Sequence, residues 1–117
     1  MAQPTDQSDR QAGEIGRKQS LFREVNERID ELTEVLDLQE EMTIFCECGT
    51  ARCHEQITLT GAEYEKLRRI PTHFAVLPGH DIPAVERVIA KNDRYVIVEK
   101  VGKAAIAAIK LDPRRPA

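Results

Sequence analysis

The stretch FCECGTARCHE, residues 45–55, holds all three cysteines of the chain, at positions 46, 48 and 53, with His54 beside the last of them. The segment MTIF precedes this stretch and EQITLT follows it, and both have the residue types of β-strands. The chain is therefore predicted to turn back on itself around its cysteines. Metal ligation, redox chemistry and packing as small buried hydrophobes are three explanations of the clustered thiols.

The composition indicates one small globular domain. The chain has 117 residues, of which 41% are hydrophobic and 32% are charged, and aromatics are only 4%, so an aliphatic core is expected. No apolar run approaches the roughly 20 residues that cross a membrane, and the polar N-terminus lacks a secretory signal, which predicts a cytoplasmic location. Thiols stay reduced there, and an odd number of cysteines argues against a disulfide framework. The net charge of −3 argues against nucleic acid as the main partner.

The N-terminal third of the chain predicts a long amphipathic helix. Residues 1–10 are polar and are expected to be disordered, whereas residues 11–38 carry an apolar heptad pattern typical of a coiled coil. The candidate interaction residues on this stripe are Phe22, Val25, Ile29, Leu32 and Leu36. The stripe fits either docking on the protein's own domain or contact with a second chain. A homodimer or an obligate protein partner is favoured, because the helix is too long for a small domain to cover.

Residues 42–111 predict a small antiparallel β domain with short helices, followed by a frayed tail at 112–117. Thr60 and Glu63 form a capping box that predicts a short helix ending before Pro71. THFAVLPGH predicts a third strand, and VERVIAKNDRYVIVEK a hairpin, although residues 84–90 also match helical spacing. KAAIAAIKL predicts a closing helix. The predicted fold class is α+β, with the β domain stapled by zinc.

The cysteine loop, residues 46–53, favours a Zn²⁺ site. Thiolates are preferred zinc ligands, and Gly49 allows a sharp turn after the first two cysteines. A fourth ligand is then needed. His80 is the first choice because Pro78 and Gly79 bend the chain before it, and His54 is the alternative. His73, at the start of a strand, is expected to be a surface residue.

The chain resembles a family of small, largely uncharacterised actinobacterial proteins over about residues 21–100. The motifs that carry the resemblance lie between Phe45 and Lys100. The similarity is carried by the cysteine loop with its Cys-Glu-Cys start and by LTGAEY (59–64), FAVLPGH (74–80) and YVIVEK (95–100). Ile97 departs from this pattern, where the family tends to Val. The resemblance implies that Cys46, Cys48, Cys53 and His80 form one ligand set, and it implies no activity.

These features predict a non-catalytic zinc-binding module for protein interaction or regulation. Three thiolates and one imidazole would leave no open position on the metal, and no Ser-His-Asp, HExxH or phosphate-binding glycine motif is present. The alternative is a thiol-based redox switch in which oxidation releases zinc. A metal-dependent enzyme is the least favoured of the three functions.

Overall fold

The longest element is helix α1, Pro4–Thr33. A computed structural model describes residues 4–33, 40–50 and 52–114. Residues 4–10, predicted to be disordered, belong to the helix, and Pro4 suits its first turn because the missing N–H needs no partner there. The predicted end of the helix, residues 34–38 with Leu36, lies outside the described residues. Across the described ranges, no helix is both long and apolar enough to cross a membrane.

In the described residues, five strands and two short helices follow α1 and complete an α+β fold, which confirms the predicted fold class. In chain order they are β1 (Glu41–Phe45), β2 (Gln56–Thr60), α2 (Gly61–Arg68), β3 (His73–Val76), β4 (Glu86–Lys91), β5 (Val96–Lys100) and α3 (Gly102–Lys110). The predicted capping box is present, because the Thr60 side chain accepts from the Glu63 N–H and the Glu63 carboxylate accepts from the Thr60 N–H.

The strands form two antiparallel sheets. β1 pairs with β2 on either side of the cysteine loop, and the second sheet has the order β3-β5-β4. Of residues 84–90, whose secondary structure the sequence left open, residues 86–90 belong to strand β4, which pairs along β5 with a bulge between Val88 and Ala90. Residues 84 and 85 lie in the turn before it. Alternation along β1 and β2 places Met42, Ile44, Ile57 and Leu59 in the core, where α2 covers them with Tyr64 and Leu67.

Helix α1 docks on this domain through a polar face. Among the side chains described for α1, those of residues 14–32, the buried ones are polar or charged, namely Gln19, Arg23, Asn26, Glu27 and Asp30. The predicted interaction stripe is divided: Phe22 contacts the Phe45 ring at a centroid distance of 5.6 Å and Ile29 packs partly on the core, while Val25 and Leu32 stay exposed. The helix therefore uses its own domain as a partner, on a face that the apolar pattern did not indicate.

The C-terminal segment is held in place up to Arg114, so the predicted frayed tail at 112–117 is wrong for residues 112–114. Asp112 pairs with Arg68 of α2. Arg114 bridges the two helices, because it pairs with Glu27 and Asp30 of α1 and with Glu65 of α2. These ion pairs anchor the end of the chain across α1 and α2.

Candidate metal centre

Four side chains that can bind a metal converge at the cysteine loop. The Sγ atoms of three cysteines and a ring nitrogen of one histidine lie within 4.8 Å of one another, and the four residues are Cys46, Cys48, Cys53 and His80. No other Cys, His, Asp or Glu of the described ranges joins this group. The arrangement can hold a metal ion.

Strand ends and tight turns position these four side chains. Cys46 follows β1 directly, and its N–H donates to the Glu55 carbonyl at 2.8 Å, which prolongs the β1–β2 pairing. Cys53 and His80 each close a turn, because their N–H groups donate to the carbonyls of Thr50 at 3.0 Å and Leu77 at 2.9 Å. His80 lies in the turn that follows β3, and β3 belongs to the second sheet, so the site joins the two sheets.

Two distances between ligand atoms match those expected around a tetrahedral ion. The Nδ1 atom of His80 lies 3.6 Å from the Cys53 Sγ atom and 3.8 Å from the Cys46 Sγ atom. Around a tetrahedral Zn²⁺, metal–ligand lengths of about 2.3 Å for sulfur and about 2.0 Å for nitrogen place such atoms about 3.6 Å apart. Sulfur and imidazole together are also the donor set that zinc prefers.

Backbone N–H groups point at two of the sulfur atoms. The Leu77 N–H donates to Cys46 Sγ at 3.3 Å, and the Thr50 N–H donates to Cys48 Sγ at 3.4 Å. The hydrogen bond with Cys46 lowers the pKa of the Cys48 thiol to about 3, whereas the same hydrogen bond, followed by burial, raises the pKa of Cys46. Burial raises the pKa of Cys53. The loop thus favours a thiolate at Cys48, the form that binds a metal.

Glu47, between the first two cysteines, is fully buried and faces α1. Its carboxylate accepts hydrogen bonds from Arg23 and Asn26 and, at 3.1 Å, from the Ala75 N–H. Burial alone would raise the pKa of Glu47, but the charge of Arg23 and these hydrogen bonds outweigh it, and the pKa is lowered. Because neighbouring side chains of an extended segment point to opposite sides, Glu47 can anchor the loop while the cysteines face the site.

Three polar side chains of α1 complete this anchor. Asn26 donates to the Phe45 carbonyl at 3.0 Å and accepts from the Phe45 N–H at 2.8 Å, as a neighbouring strand would. Gln19 donates to the Glu47 carbonyl at 3.0 Å. The Arg23 guanidinium also donates to the His73 carbonyl and lies 3.7 Å from the centre of the Phe74 ring. Gln19, Arg23 and Asn26 are four and three residues apart, so they share one face of the helix. A polar face of this kind usually indicates contact with water rather than with the core.

Gly49 lets the cysteine loop approach α1 closely. Its backbone has a φ of 73°, in the left-handed region, and a Cβ atom there would lie 2.6 Å from the Gln19 Cγ atom and 2.7 Å from the Ile15 carbonyl oxygen. The sharp turn after Cys46 and Cys48 is one reason for a glycine at this position. Contact with α1 is a second and independent reason that only glycine fits.

The other two histidines lie outside the group of four. The exposed His54 ring packs edge-on against Phe22, with a centroid distance of 5.8 Å. His73 is partly buried rather than on the surface, and its Nε2 atom lies 3.1 Å from a carboxylate oxygen of Glu99. The described geometry therefore brings only His80 of the three to the cysteines.

Comparison with family models, curated proteins and solved structures finds no match for this chain. The resemblance to the actinobacterial family thus stays a prediction.

Proposed function

We propose that the chain is a non-catalytic module whose fold is stapled by one Zn²⁺. The convergence of three sulfur atoms and one imidazole nitrogen within 4.8 Å carries this proposal. Small domains bury limited cores, and a metal that joins two sheets and, through Glu47, a long helix would offset that limit. The chemistry that zinc would supply here is cross-linking, with Cys46, Cys48, Cys53 and His80 as its ligands.

Two features favour a structural ion over a catalytic one. Three thiolates and one imidazole would fill all four positions of a tetrahedral zinc, which leaves none for water or substrate. Cys46 and Cys48 are also buried, at 1% and 0% exposure. A catalytic metal needs an open ligand position that substrate can reach.

The same burial favours a structural site over a thiol switch. Redox-sensing cysteines are accessible to oxidants, whereas Cys53, the most exposed of the three, is only 8% exposed. A switch would be supported if a low dose of peroxide released zinc reversibly from the folded protein. Slow release that follows global unfolding is the result expected for a structural ion.

Metal analysis of variants tests the ligand set. The protein purified under reducing conditions should contain one Zn²⁺ per chain, and Cys48→Ser or His80→Ala should lower that occupancy. His54→Ala and His73→Ala are matched controls that remove an imidazole without touching the group of four. Full zinc occupancy in the Cys48 and His80 variants would contradict the proposed site, and loss in the His54 variant would revive the alternative ligand.

We also propose that the outer face of α1 binds a second copy of the chain. Leu21 and Leu32 are 58% and 78% exposed, which is unusual for large apolar side chains on one helix face. Together with Val25 and Arg28 they lie on one helix face at intervals of four, three and four residues. These intervals are identical whether they are counted from the N-terminal or the C-terminal end of the helix. An antiparallel copy would therefore place Leu21 against the partner's Leu32, as a two-fold interface requires.

Light scattering coupled to size exclusion tests this self-association. Leu32→Asp should dissociate the dimer and leave the fold intact, because Leu32 is exposed. Ile29→Asp is less informative, since Ile29 packs partly on its own domain and the variant should also lose stability. A wild-type monomer at micromolar concentration would contradict the dimer.

A further inference from the structure

A groove on the second sheet shares no residue with the metal centre or with the outer face of α1. It is open, has a volume of about 460 Å³, and runs between α2 and β4. Ile97 of β5 lines it, and Ile70 and Ile89 flank it with exposures of 46% and 42%. We call this surface the β4 groove. Its lining includes Lys66, Arg69, Ile70, Ile89, Tyr95 and Ile97.

The β4 groove borders a free strand edge. β4 pairs with β5 on one side, and in the part of the chain that the structure describes no segment pairs with its other side. All its residues after Glu86 are exposed. The backbone groups of such an edge can pair with another extended chain, while an adjoining apolar groove receives alternate side chains of that chain.

The rim of the β4 groove is positively charged. Among the described residues, Lys66, Arg69 and the strand's last residue, Lys91, make no side-chain ion pair or hydrogen bond. The nearby carboxylates are engaged: Glu63 accepts from Arg94 and Tyr95. Glu99 is likewise engaged, because it accepts from Arg87 and lies beside His73. The unpaired charge at this surface is therefore cationic, which complements an acidic ligand.

We propose that the β4 groove binds an extended acidic segment of a partner protein, which adds to the free edge of β4 as a fourth strand. Alternate side chains of the segment would face the groove, and this set would include both apolar and acidic residues. The apolar ones would lie on Ile70, Ile89 and Ile97, and the acidic ones would face Lys66 and Arg69. The groove contains none of the four proposed metal ligands, so this inference is independent of the zinc site.

A synthetic peptide tests the proposal by fluorescence anisotropy. The probe is a labelled heptapeptide with Glu at positions 2 and 6, Val at position 4 and Thr elsewhere, so that Glu and Val share one face of the strand. It is added to the protein as purified under reducing conditions with its zinc content measured. We expect saturable binding of this peptide and at least tenfold weaker binding of the same peptide with Lys in place of Glu. A third peptide has the acidic sequence with N-methylated backbone amides, and it should also bind at least tenfold more weakly, because it cannot pair with β4.

Protein variants locate the binding surface. Arg69→Glu should weaken binding of the acidic peptide at least tenfold, while Arg17→Glu, the same charge change at an exposed position of α1, should not. Circular dichroism shows whether both variants fold. Equal binding of the acidic and basic peptides, or unchanged binding to Arg69→Glu, would overturn the proposal. A dimer that Ile89→Ser dissociates would also overturn it, since a second copy of the chain would then occupy the free edge of β4.

Discussion

The carboxylate of Glu47 accepts two hydrogen bonds from the guanidinium of Arg23, at 2.7 and 3.1 Å, and both side chains are almost fully buried. The pair joins the residue between two candidate metal ligands to the middle of α1. Asn26 and the Ala75 N–H satisfy the remaining acceptor sites of the carboxylate. Such a complete hydrogen-bond set is what makes a buried ion pair tolerable in a small domain.

Glu47→Gln is therefore predicted to be strongly destabilising. It leaves the Arg23 charge buried without its counter-ion, and removal of one partner of a buried pair typically lowers the free energy of unfolding by about 3–5 kcal/mol. Arg87→Ala is the control, because the Arg87–Glu99 pair lies at the surface and away from α1, and its loss should change the free energy of unfolding by less than about 1 kcal/mol. Urea unfolding of both variants provides the measurement. Similar losses in the two would show that the buried pair has no special role.

Gly49→Ala should destabilise the protein more than Gly102→Ala. Both glycines have positive φ angles, 73° and 57°, so an alanine costs about 1–2 kcal/mol at either position. Only at Gly49 would the added Cβ atom also meet the side chain of Gln19 and the backbone of Ile15. Gly102 has open space around it, so the difference in unfolding free energy reports the contact between the cysteine loop and α1. Equal losses would argue against that close approach.

The carboxyl group of Asp30 predicts a pH-dependent stability. Burial, followed by a hydrogen bond with Glu65, raises the pKa of Asp30 from 3.8 to about 7. The folded state therefore binds a proton that the unfolded state lacks between these values, so this stabilisation is fully present below pH 3.8 and is lost as the pH rises through about 7.

Asp30→Asn mimics the protonated carboxyl group and should remove this dependence. Its melting temperature relative to wild type should therefore be higher at about pH 8 than at about pH 5. Glu31→Gln, an exposed neighbour on α1, should show the same difference from wild type at both pH values. A flat difference for Asp30→Asn would mean that its pKa is close to the ordinary value.

Removal of zinc by a chelator should lower the melting temperature, because the free energy of metal binding is part of the free energy of folding. Hydrogen exchange should speed up first at the Leu77 and Thr50 amides, which donate to cysteine sulfur atoms. The Glu63 amide in the capping box serves as an internal reference. Added Zn²⁺ should restore the melting curve and Mg²⁺, which prefers oxygen ligands, should not. An unchanged curve after verified metal removal would contradict a structural ion.

Local patterns in the sequence were sufficient for most of the secondary structure. The capping box of Thr60 and Glu63 and the alternation of Ile57 and Leu59 depend on neighbours a few residues away, so each could be recognised without the fold. The close spacing of the three cysteines likewise indicated a metal site, and the Pro78–Gly79 bend before His80 suggested its fourth ligand. The arm that includes β4 could not be assigned, because its apolar residues fit both periods.

The docking of α1 was decided by the tertiary structure. Glu47 and Arg23 are 24 residues apart, and each alone has the polarity of a solvated side chain. Polarity along a sequence tells which side chains water can accommodate, and it does not tell which charges find a counter-ion and enough hydrogen bonds to be buried. The sequence by itself therefore determined the cysteine loop and the strands other than β4, whereas the face of α1 that meets them depended on partners that only the folded chain brings together.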